Sequence, residues 1–358
     1  MAELDLSQDG ARLTAALVDI ASVSGEEREI ADAVEAALRP IAHLDVVRIG
    51  DSVVARTRLG RAERVVVAGH LDTVPIADNY PSRLENGVLH GIGTADMKGG
   101  VAVGLRLAAT VPAPVRDVTY VFYECEEVEA ERNGLKRITD ERPELLAADF
   151  AVLMEPTSAT VEGGCQGTMR VDVATTGVRA HAARGWMGAN AIHAAAPVLA
   201  RLVAYEPREP DVEGLRYRES VNAIGIAGGV AGNVIPDRCV VTVNHRFAPD
   251  HDEAAAFRFL EDFFAGFELT LMDSAPGARP GLDLPAAASF VAAIGGQPGP
   301  KFGWTDVARF AQLGIAAVNY GPGNPNVAHA RHEHVAVAEI GECETKMRAW
   351  LTAAPGPE

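Results

Sequence analysis

The chain has few cysteines and no close pair of them. Its four cysteines, at positions 125, 165, 239 and 343, are widely spaced and form no Cys-x-x-Cys motif. A structural zinc site built from cysteines needs such pairs, and a disulfide framework needs a denser set in a shorter chain. The spacing argues against both, so we expect a protein of the reducing cytoplasm.

Basic residues are in the minority, and long apolar runs are missing. The sequence has 32 Lys+Arg against 49 Asp+Glu, a formal net charge of -17. Such a surface repels phosphate backbones and anionic lipids, so we expect no nucleic-acid or membrane partner. The first residues are acidic and lack an apolar stretch, so no signal peptide is predicted. No run is long enough for a transmembrane helix.

Several nucleotide and nucleophile motifs are absent as well. Gly91 and Gly93 begin a possible dinucleotide fingerprint, but Asp96 stands where the third glycine is required. A carboxylate there would repel a pyrophosphate. Neither Gly-x-x-x-x-Gly-Lys-Ser/Thr nor Gly-x-Ser-x-Gly occurs, which argues against nucleoside triphosphate hydrolysis and against an α/β serine hydrolase.

The hydrophobic pattern predicts two kinds of architecture in one chain. Buried-strand candidates at 64–68, 118–123, 150–154 and 315–319 alternate with helical segments, which is typical of an α/β fold with a mixed sheet. Between 168 and 276 the order of elements is β-α-β-β-α-β, a ferredoxin-like unit. We therefore predict a discontinuous α/β/α domain of 1–167 and 277–358 with an inserted α+β domain of 168–276.

Two local predictions concern helix boundaries. Residues 24–27 read SGEE, the form of a capping box at the start of a helix. A helix from about Asn190 to Ala204 contains Pro197, which should kink it.

Ionisable residues follow four of the predicted strands or turns. His70 and Asp72 follow the strand at 64–68, and Asp96 precedes a helix. The remaining residues of this kind are Glu124, Glu126, Glu127 and Glu155. Alone, each pattern is ordinary: a surface pair, a helix-capping turn or a solvated acidic face. Together they suggest a site, because ligands bind beyond the carboxyl ends of strands in open α/β sheets.

The chain resembles a known family in the order of its motifs. The segments that carry the resemblance are 69–75 (GHLDTVP), 91–100 (GIGTADMKGG), Glu126-Glu127, 155–157 (EPT) and a late His329. They resemble the co-catalytic zinc aminoacylases and exopeptidases, a family that includes acetylornithine deacetylases and succinyl-diaminopimelate desuccinylases. The resemblance covers nearly the whole chain, and its overall character is nearest to the actinobacterial-type desuccinylases.

The resemblance implies two zinc ions, for which cobalt could substitute, and a role for each residue. His70 and Glu155 would bind one ion, Glu127 and His329 the other, and Asp96 both. Glu126 would be the general base and Asp72 the carboxylate that orients His70. These residue types suit zinc, which takes imidazole and carboxylate ligands.

The inserted domain would act as a lid and dimerisation domain. By the resemblance, His181 reaches the active site of the partner subunit in a homodimer. Contacts to an anionic N-acyl amino acid would come from Asn233, Arg246, Thr305 and Arg309. Arg184 stands where desuccinylases have a tyrosine, and 165–167 (CQG) replaces their Arg-Arg-Gly turn. One interpretation is that Arg184 restores the lost positive charge.

Three functions remain open from the sequence. The first is hydrolysis of N-succinyl-LL-2,6-diaminopimelate to succinate and LL-2,6-diaminopimelate, a step of lysine and diaminopimelate biosynthesis. The second is removal of another acyl group, as in acetylornithine deacetylases and aminoacylases, or metal-dependent exopeptidase activity. The third is a catalytically silent binding or assembly protein that keeps the fold, which a missing ligand or base would mark.

Overall fold

The structure is a computed structural model that describes residues 3–353. The chain divides into two compact units, each with a hydrophobic core of its own. Unit 1 takes the described part of 1–163, 281–299 and 309–358, and unit 2 takes 164–280 and 300–308. The unit limits differ from the predicted domain limits by four residues at each side of the insertion, and 300–308 joins unit 2 in addition. The assignment of these units to catalysis and to a lid remains a prediction.

Ten α-helices lie within the described residues. In chain order they are α1 (Gly10–Val18), α2 (Arg28–Leu38), α3 (Gly99–Thr110), α4 (Gly134–Glu141), α5 (Ala191–Ala194), α6 (Ala196–Val203), α7 (Glu253–Phe263), α8 (Pro285–Ile294), α9 (Val307–Gln312) and α10 (Val337–Thr352). Among these helices, none has the length and apolar character needed to cross a bilayer.

Strands are more numerous and mostly short. In the described part of the chain they are β1 (Asp45–Ile49), β2 (Ser52–Arg56), β3 (Arg64–His70), β4 (Arg83–Glu85), β5 (Val88–His90), β6 (Asp117–Tyr123), β7 (Phe150–Leu153), β8 (Glu162–Gly163), β9 (Gly167–Thr176), β10 (Ala180–His181), β11 (Asp211–Val212), β12 (Leu215–Arg216), β13 (Ser220–Gly228), β14 (Val234–Ile235), β15 (Arg238–Phe247), β16 (Glu268–Ala275), β17 (Gly299–Pro300), β18 (Ala316–Asn319) and β19 (His334–Ala336).

Unit 1 is built on a mixed sheet. The sheet order is β1-β2-β6-β3-β7-β18-β8-β17. Strands β6, β3, β7 and β18 run parallel, whereas β1, β2 and β8 pair antiparallel with their neighbours. Every residue of β6 and β7 is buried, as expected for central strands covered on both faces. The mixed-sheet α/β prediction is confirmed.

Unit 2 contains a separate four-stranded antiparallel sheet. Its order is β13-β15-β9-β16, which with α5, α6 and α7 is the arrangement of a ferredoxin-like β-α-β-β-α-β unit. Alternate residues of β9 and β15, among them Val171, Val173, Val241 and Val243, are buried beneath the helices. The predicted α+β insertion is therefore confirmed in its topology.

The capping-box prediction is wrong, and the prediction of an interrupted helix at 190–204 is confirmed, with a break in place of a kink. Helix α2 begins at Arg28, and no side chain caps it. Ser24 instead donates a hydrogen bond to Asp72, so the SGEE segment is used for tertiary contacts. The predicted kinked helix at 190–204 is two helices, α5 and α6, with Pro197 in the first turn of α6. Proline suits that position because the first turn has no use for its missing N–H.

Candidate active site

The carboxyl ends of three parallel strands bring polar residues to one edge of the sheet in unit 1. Register pairs His70 with Tyr123 across β3 and β6, and Ala68 with Leu153 across β3 and β7. His70 lies two residues after Ala68, and Glu155 lies two residues after Leu153, so both follow paired positions at the ends of neighbouring strands. Both side chains are buried, His70 at 1% and Glu155 at 4% exposure.

Asp96 and His329 are delivered by irregular segments. Asp96 lies in the turn Thr94–Lys98, where its own backbone is not helical, immediately before α3. The start of α3 packs against the end of β7 so closely that a Cβ on Gly100 would lie 2.0 Å from the Met154 carbonyl oxygen. Only glycine fits there, because a side chain would collide with that carbonyl group. His329 has a left-handed backbone, with φ of 62°.

Four of the expected ligands form one cluster, which we term the imidazole–carboxylate cluster: His70, Asp96, Glu127 and His329. His70 Nε2 lies 3.2 Å from Asp96 Oδ1, and His329 Nε2 lies 3.4 Å from Asp96 Oδ2. His329 Nε2 is also 2.8 Å from Glu127 Oε1. Potential ligand atoms of His70, Asp96 and Glu127 all fall within 4.8 Å of one another. Asp96 thus lies between the two histidines.

Asp72 contacts His70 and the backbone of Glu126 and Glu127. It is fully buried, and its Oδ1 lies 3.5 Å from His70 Nδ1, which also lies 3.0 Å from the Asp72 carbonyl oxygen. The carboxylate accepts hydrogen bonds from the backbone N–H groups of Glu126 and Glu127, at 3.0 and 3.1 Å. A proton on Nδ1 facing Asp72 leaves Nε2 free to act as a ligand.

Glu126 and Glu127 are adjacent but face different groups. The Glu127 carboxylate contacts His329. Burial would lower the pKa of His70, but hydrogen bonds to Asp72 and Asp96 raise it, and the Glu126 charge adds to that rise. Both glutamates are half-buried. Two neighbouring carboxylates can therefore serve two purposes, with one in the cluster and one beside it.

The electrostatics of the cluster favour a cation. Hydrogen bonds to Asp96 and Glu127 raise the pKa of His329 to about 10. Burial raises the pKa of Glu127, whereas at Asp96 the bonds to His329 and His70 outweigh burial and lower the pKa. Among the described residues, the ion pairs of these two carboxylates are all with histidine. Imidazole and carboxylate are the ligand types that zinc takes, so the donor set fits a divalent metal.

Sequence reasoning missed a further buried carboxylate, which accepts hydrogen bonds from the turn that carries Asp96. Glu333 is 1% exposed, and its Oε1 accepts the backbone N–H groups of Ala95 and Asp96, both at 3.0 Å. Burial raises the pKa of Glu333 to about 7. It lies between exposed or half-buried histidines, so no periodic pattern distinguished it. Lys98 is equally buried and donates to the Ile20 carbonyl oxygen.

The residues predicted to contact substrate lie mostly in unit 2. His181 is exposed in β10, which pairs with β14, and its Nδ1 accepts the Ala183 N–H at 3.0 Å. The Asn233 carbonyl accepts the Ala182 N–H at 2.8 Å, so His181 and Asn233 are neighbours. Arg184 is exposed in the 3₁₀ segment Ala182–Met187.

The other predicted contacts are less exposed. Arg246 is half-buried near the end of β15, where its Nε donates to Asn244 Oδ1 at 3.1 Å. Thr305 is 2% exposed and belongs to unit 2, whereas Arg309 belongs to unit 1. Gln166, at the position of a family arginine, is buried and donates to the Arg218 carbonyl oxygen. The roles of these residues stay predictions.

A known family has this arrangement of motifs. The sequence profile described as Peptidase family M20/M25/M40 matches residues 66–353. The chain belongs to this family. The match includes each residue of the imidazole–carboxylate cluster and the whole of unit 2. The prediction of a metal-dependent amide hydrolase is thereby confirmed, since the family is metal-dependent.

Relatives within the M20/M25/M40 family agree with the resemblance found in the sequence. A Mycobacterium tuberculosis protein named putative succinyl-diaminopimelate desuccinylase DapE is 55% identical over 351 residues, which cover 97% of this chain and 99% of that protein. The Corynebacterium glutamicum succinyl-diaminopimelate desuccinylase is 45% identical over 360 residues, 98% of each chain. An M20 family metallo-carboxypeptidase from Sulfolobus solfataricus has the same fold, with a TM-score of 0.77, 15% identity, and coverage of 96% of this chain and 98% of that one.

Proposed function

We propose that this protein hydrolyses the amide bond of N-succinyl-LL-2,6-diaminopimelate to give succinate and LL-2,6-diaminopimelate. The observation that carries the reaction class is the imidazole–carboxylate cluster, in which Asp96 lies between His70 and His329 with Glu127 alongside. Two relatives that match this chain over nearly its full length carry the name of this activity. The reaction is a step towards diaminopimelate and lysine.

We assign the residues as follows. His70 and Glu155 would hold one metal ion, Glu127 and His329 would hold a second, and Asp96 would contribute to both sites. Two zinc ions fit these donors, and cobalt would be accepted by the same set. Bound metal supplies a Lewis acid for the amide carbonyl and makes water acidic enough to lose a proton near neutral pH.

Glu126 is the general base in this proposal. It takes a proton from the attacking water and returns it to the amine nitrogen as the amide C–N bond breaks. The water oxygen becomes part of the new carboxylate, and both water protons end on the released nitrogen as an ammonium group. Asp72 keeps this arrangement in place, because it accepts the N–H groups of Glu126 and Glu127 while facing His70 Nδ1.

Substrate recognition is assigned to cationic and polar residues. A substrate with several carboxylates suits Arg246 and Arg309, since guanidinium groups bind carboxylates in two-point fashion. Asn233, Thr305 and Arg184 would complete the contacts. We propose that the exposed His181 reaches the active site of the partner subunit and there polarises the scissile carbonyl of the bound substrate. Such local positive charge is needed because the chain as a whole carries -17.

A homodimer through unit 2 is part of the same proposal. Strand β13 is an edge of its sheet, and seven successive residues from Asn222 to Gly228 are exposed. Ile224 and Ile226 are 59% and 56% exposed, which is unusual for an edge strand left in water. Pairing of two such edges would cover both. A fully active monomer in sedimentation and kinetic assays would contradict the dimer and the role of His181.

We also retain a cytoplasmic location as a proposal.

The decisive experiment is a panel of N-acyl substrates with zinc-loaded protein. We expect turnover of N-succinyl-diaminopimelate to exceed that of acetylornithine and of dipeptides. In Glu126→Ala, the rate should fall by about 10²–10⁴-fold while bound metal is retained, because a general base contributes about that much. Preferential cleavage of acetylornithine would favour the second enzyme class, and an absence of bound metal and turnover would favour a silent binding protein.

A further inference from the structure

The segment from Ser24 to Glu27 contacts the segment that carries Glu126. Glu27 Oε1 accepts the Cys125 backbone N–H at 3.0 Å and the Gly25 N–H at 2.8 Å. The Cys125 thiol donates to the same oxygen at 3.3 Å. One buried carboxylate therefore ties the chain before α2 to the residue that precedes the general base.

Three successive backbone N–H groups beside Glu126 are accepted by two buried carboxylates. The Cys125 N–H goes to Glu27, and the N–H groups of Glu126 and Glu127 go to Asp72. Successive N–H groups that point the same way form a concavity that attracts anions. Here the protein fills that concavity with its own side chains. Ser24, three residues before Glu27 in the chain, donates its hydroxyl to the other acceptor, Asp72 Oδ2, at 2.7 Å.

The backbone at Cys125 needs this support. Its φ of 55° lies in the left-handed region, which is unfavourable for a residue with a Cβ. Such conformations persist only where surrounding contacts enforce them, and they concentrate at functional sites. Glu27 is 1% exposed, so its hydrogen bonds are shielded from water and stronger than surface ones. Glu27 supplies the acceptor for the Cys125 N–H, so its loss would release this turn.

From these contacts we infer that Glu27 is a positioning residue for Glu126, an inference that rests on the proposed role of Glu126 as the general base. Glu27 acts through the backbone and is assigned no contact with the metal ions or the substrate. Glu27 stabilises the left-handed turn at Cys125, and that turn determines the position of the Glu126 backbone and therefore of its carboxylate. A displacement of about 1 Å at a reacting group costs about 10²-fold in rate, so a distant anchor can matter.

The test compares three variants of the zinc-loaded, full-length protein. Glu27→Ala removes the acceptor, Glu27→Gln keeps an oxygen that can accept the Cys125 N–H, and Glu26→Ala is the matched control at the exposed neighbouring position. We expect Glu27→Ala to lower kcat by about 10- to 100-fold, with KM and zinc content changed little. Glu27→Gln should recover most of the rate, and Glu26→Ala should match the wild type.

A second variant pair separates positioning from a general structural role. If Glu27 acts through Glu126, Glu27→Ala should have almost no further effect on kcat in a Glu126→Ala background. An equal loss in both backgrounds would overturn the inference, as would wild-type kcat in folded Glu27→Ala. If Glu27→Ala does not fold, Glu27→Asp, with a side chain one methylene shorter, takes its place in the same comparison.

Hydrogen exchange supplies a readout that does not depend on activity. We expect faster amide exchange in a peptide covering 124–128 for Glu27→Ala, and wild-type exchange for Glu27→Gln and Glu26→Ala. Unchanged exchange in Glu27→Ala would overturn the inference even if activity fell. A wild-type protein that cleaves no N-acyl substrate would instead refute the proposed function, while the exchange result would still report on the anchor.

Discussion

Two clusters in this molecule each bring potential ligand atoms of a histidine, an aspartate and a glutamate within 4.8 Å of one another, yet the clusters differ in what balances their charge. The imidazole–carboxylate cluster lies in unit 1. In unit 2, Glu219, Asp250 and His251 also bring potential ligand atoms within 4.8 Å of one another. There, Arg208 donates to both Asp250 oxygens at 2.8 Å and to Glu219 at 2.7 and 3.2 Å. We term this second group, with Arg208, the guanidinium cluster.

The difference lies in the cation. A guanidinium does not lose its proton, so the guanidinium cluster carries a permanent internal partner and has no need of a metal. In the other cluster the partners of Asp96 and Glu127 are imidazoles, which become metal ligands once they lose a proton. Proximity of acids and histidines is therefore not enough to identify a metal site. Whether such a cluster can bind a metal depends on whether its carboxylates are paired with a guanidinium or with imidazoles.

The strongest contrast should come from neutralising one carboxylate in each cluster. We expect Asp96→Asn to lower kcat/KM by about 10³-fold and to reduce bound zinc, because metal-based charge stabilisation is worth several kcal/mol. Asp250→Asn should leave both quantities unchanged. Activity assays and metal analysis of the two purified variants measure this. Equal zinc loss in both variants would show that the clusters are not different in kind.

Removal of the guanidinium should affect stability and not catalysis. Arg208→Ala removes the cation that donates hydrogen bonds to both oxygens of the Glu219 carboxylate. Glu219 is 5% exposed, and in the variant its carboxylate would keep the hydrogen bond from the Ala248 N–H. Breaking a fully buried pair costs about 3–5 kcal/mol, and because the Arg208 side chain is 39% exposed we expect about 2 kcal/mol. Urea unfolding measures the loss in the free energy of unfolding.

Arg216→Ala is the control for Arg208. Arg216 pairs with Glu209 at 2.8 Å, but its side chain is 72% exposed, so its loss should cost less than about 1 kcal/mol. If the two variants lost the same stability, the guanidinium cluster would be an ordinary surface network.

The smallest expected effect concerns acid pH. Burial would raise the pKa of Asp250, but hydrogen bonds from Arg208 outweigh it and hold that pKa below its usual range. A carboxyl with a lowered pKa stabilises the fold above its ordinary pKa, about 4, and loses that contribution as the pH falls through the folded value. Since the pair is partly exposed, we expect about 1 kcal/mol or less.

Urea unfolding at several pH values between about 5 and 3 tests this last expectation. The wild type should lose more stability on acidification than Asp250→Asn, which has no carboxyl at that position to protonate. Parallel curves for the two proteins would mean that Asp250 contributes nothing that depends on pH.

Much of the site could be predicted from the sequence because its residues follow strands in order. Apolar runs ending at Ala68 and Tyr123 marked strand ends, and parallel strands carry their carboxyl ends to one edge. Family resemblance then gave roles to Glu126, Glu127 and His329. The anchors could not be found this way. Glu27 and Glu333 contact segments 98 and 237 or more residues away in the chain, a separation that no local pattern encodes.

Local patterns failed where a residue's partner lay elsewhere in the chain. The SGEE segment has the composition of a capping box, but Ser24 and Glu27 form better-shielded bonds to Asp72 and Cys125 than a helix end would offer. A short sequence motif states which hydrogen bonds are available. Packing decides which of them are made.

The sequence by itself determined the α/β architecture with its ferredoxin-like insertion, because that depends on residue periodicity, and the resemblance of its motifs to a family indicated the ligand types and the reaction class. Only the tertiary structure decided which acids meet histidines and which meet Arg208, and which buried carboxylates anchor the turn at Cys125. Those outcomes depend on distances between residues far apart in the chain. The free energy of a buried charge is set by its neighbours in space.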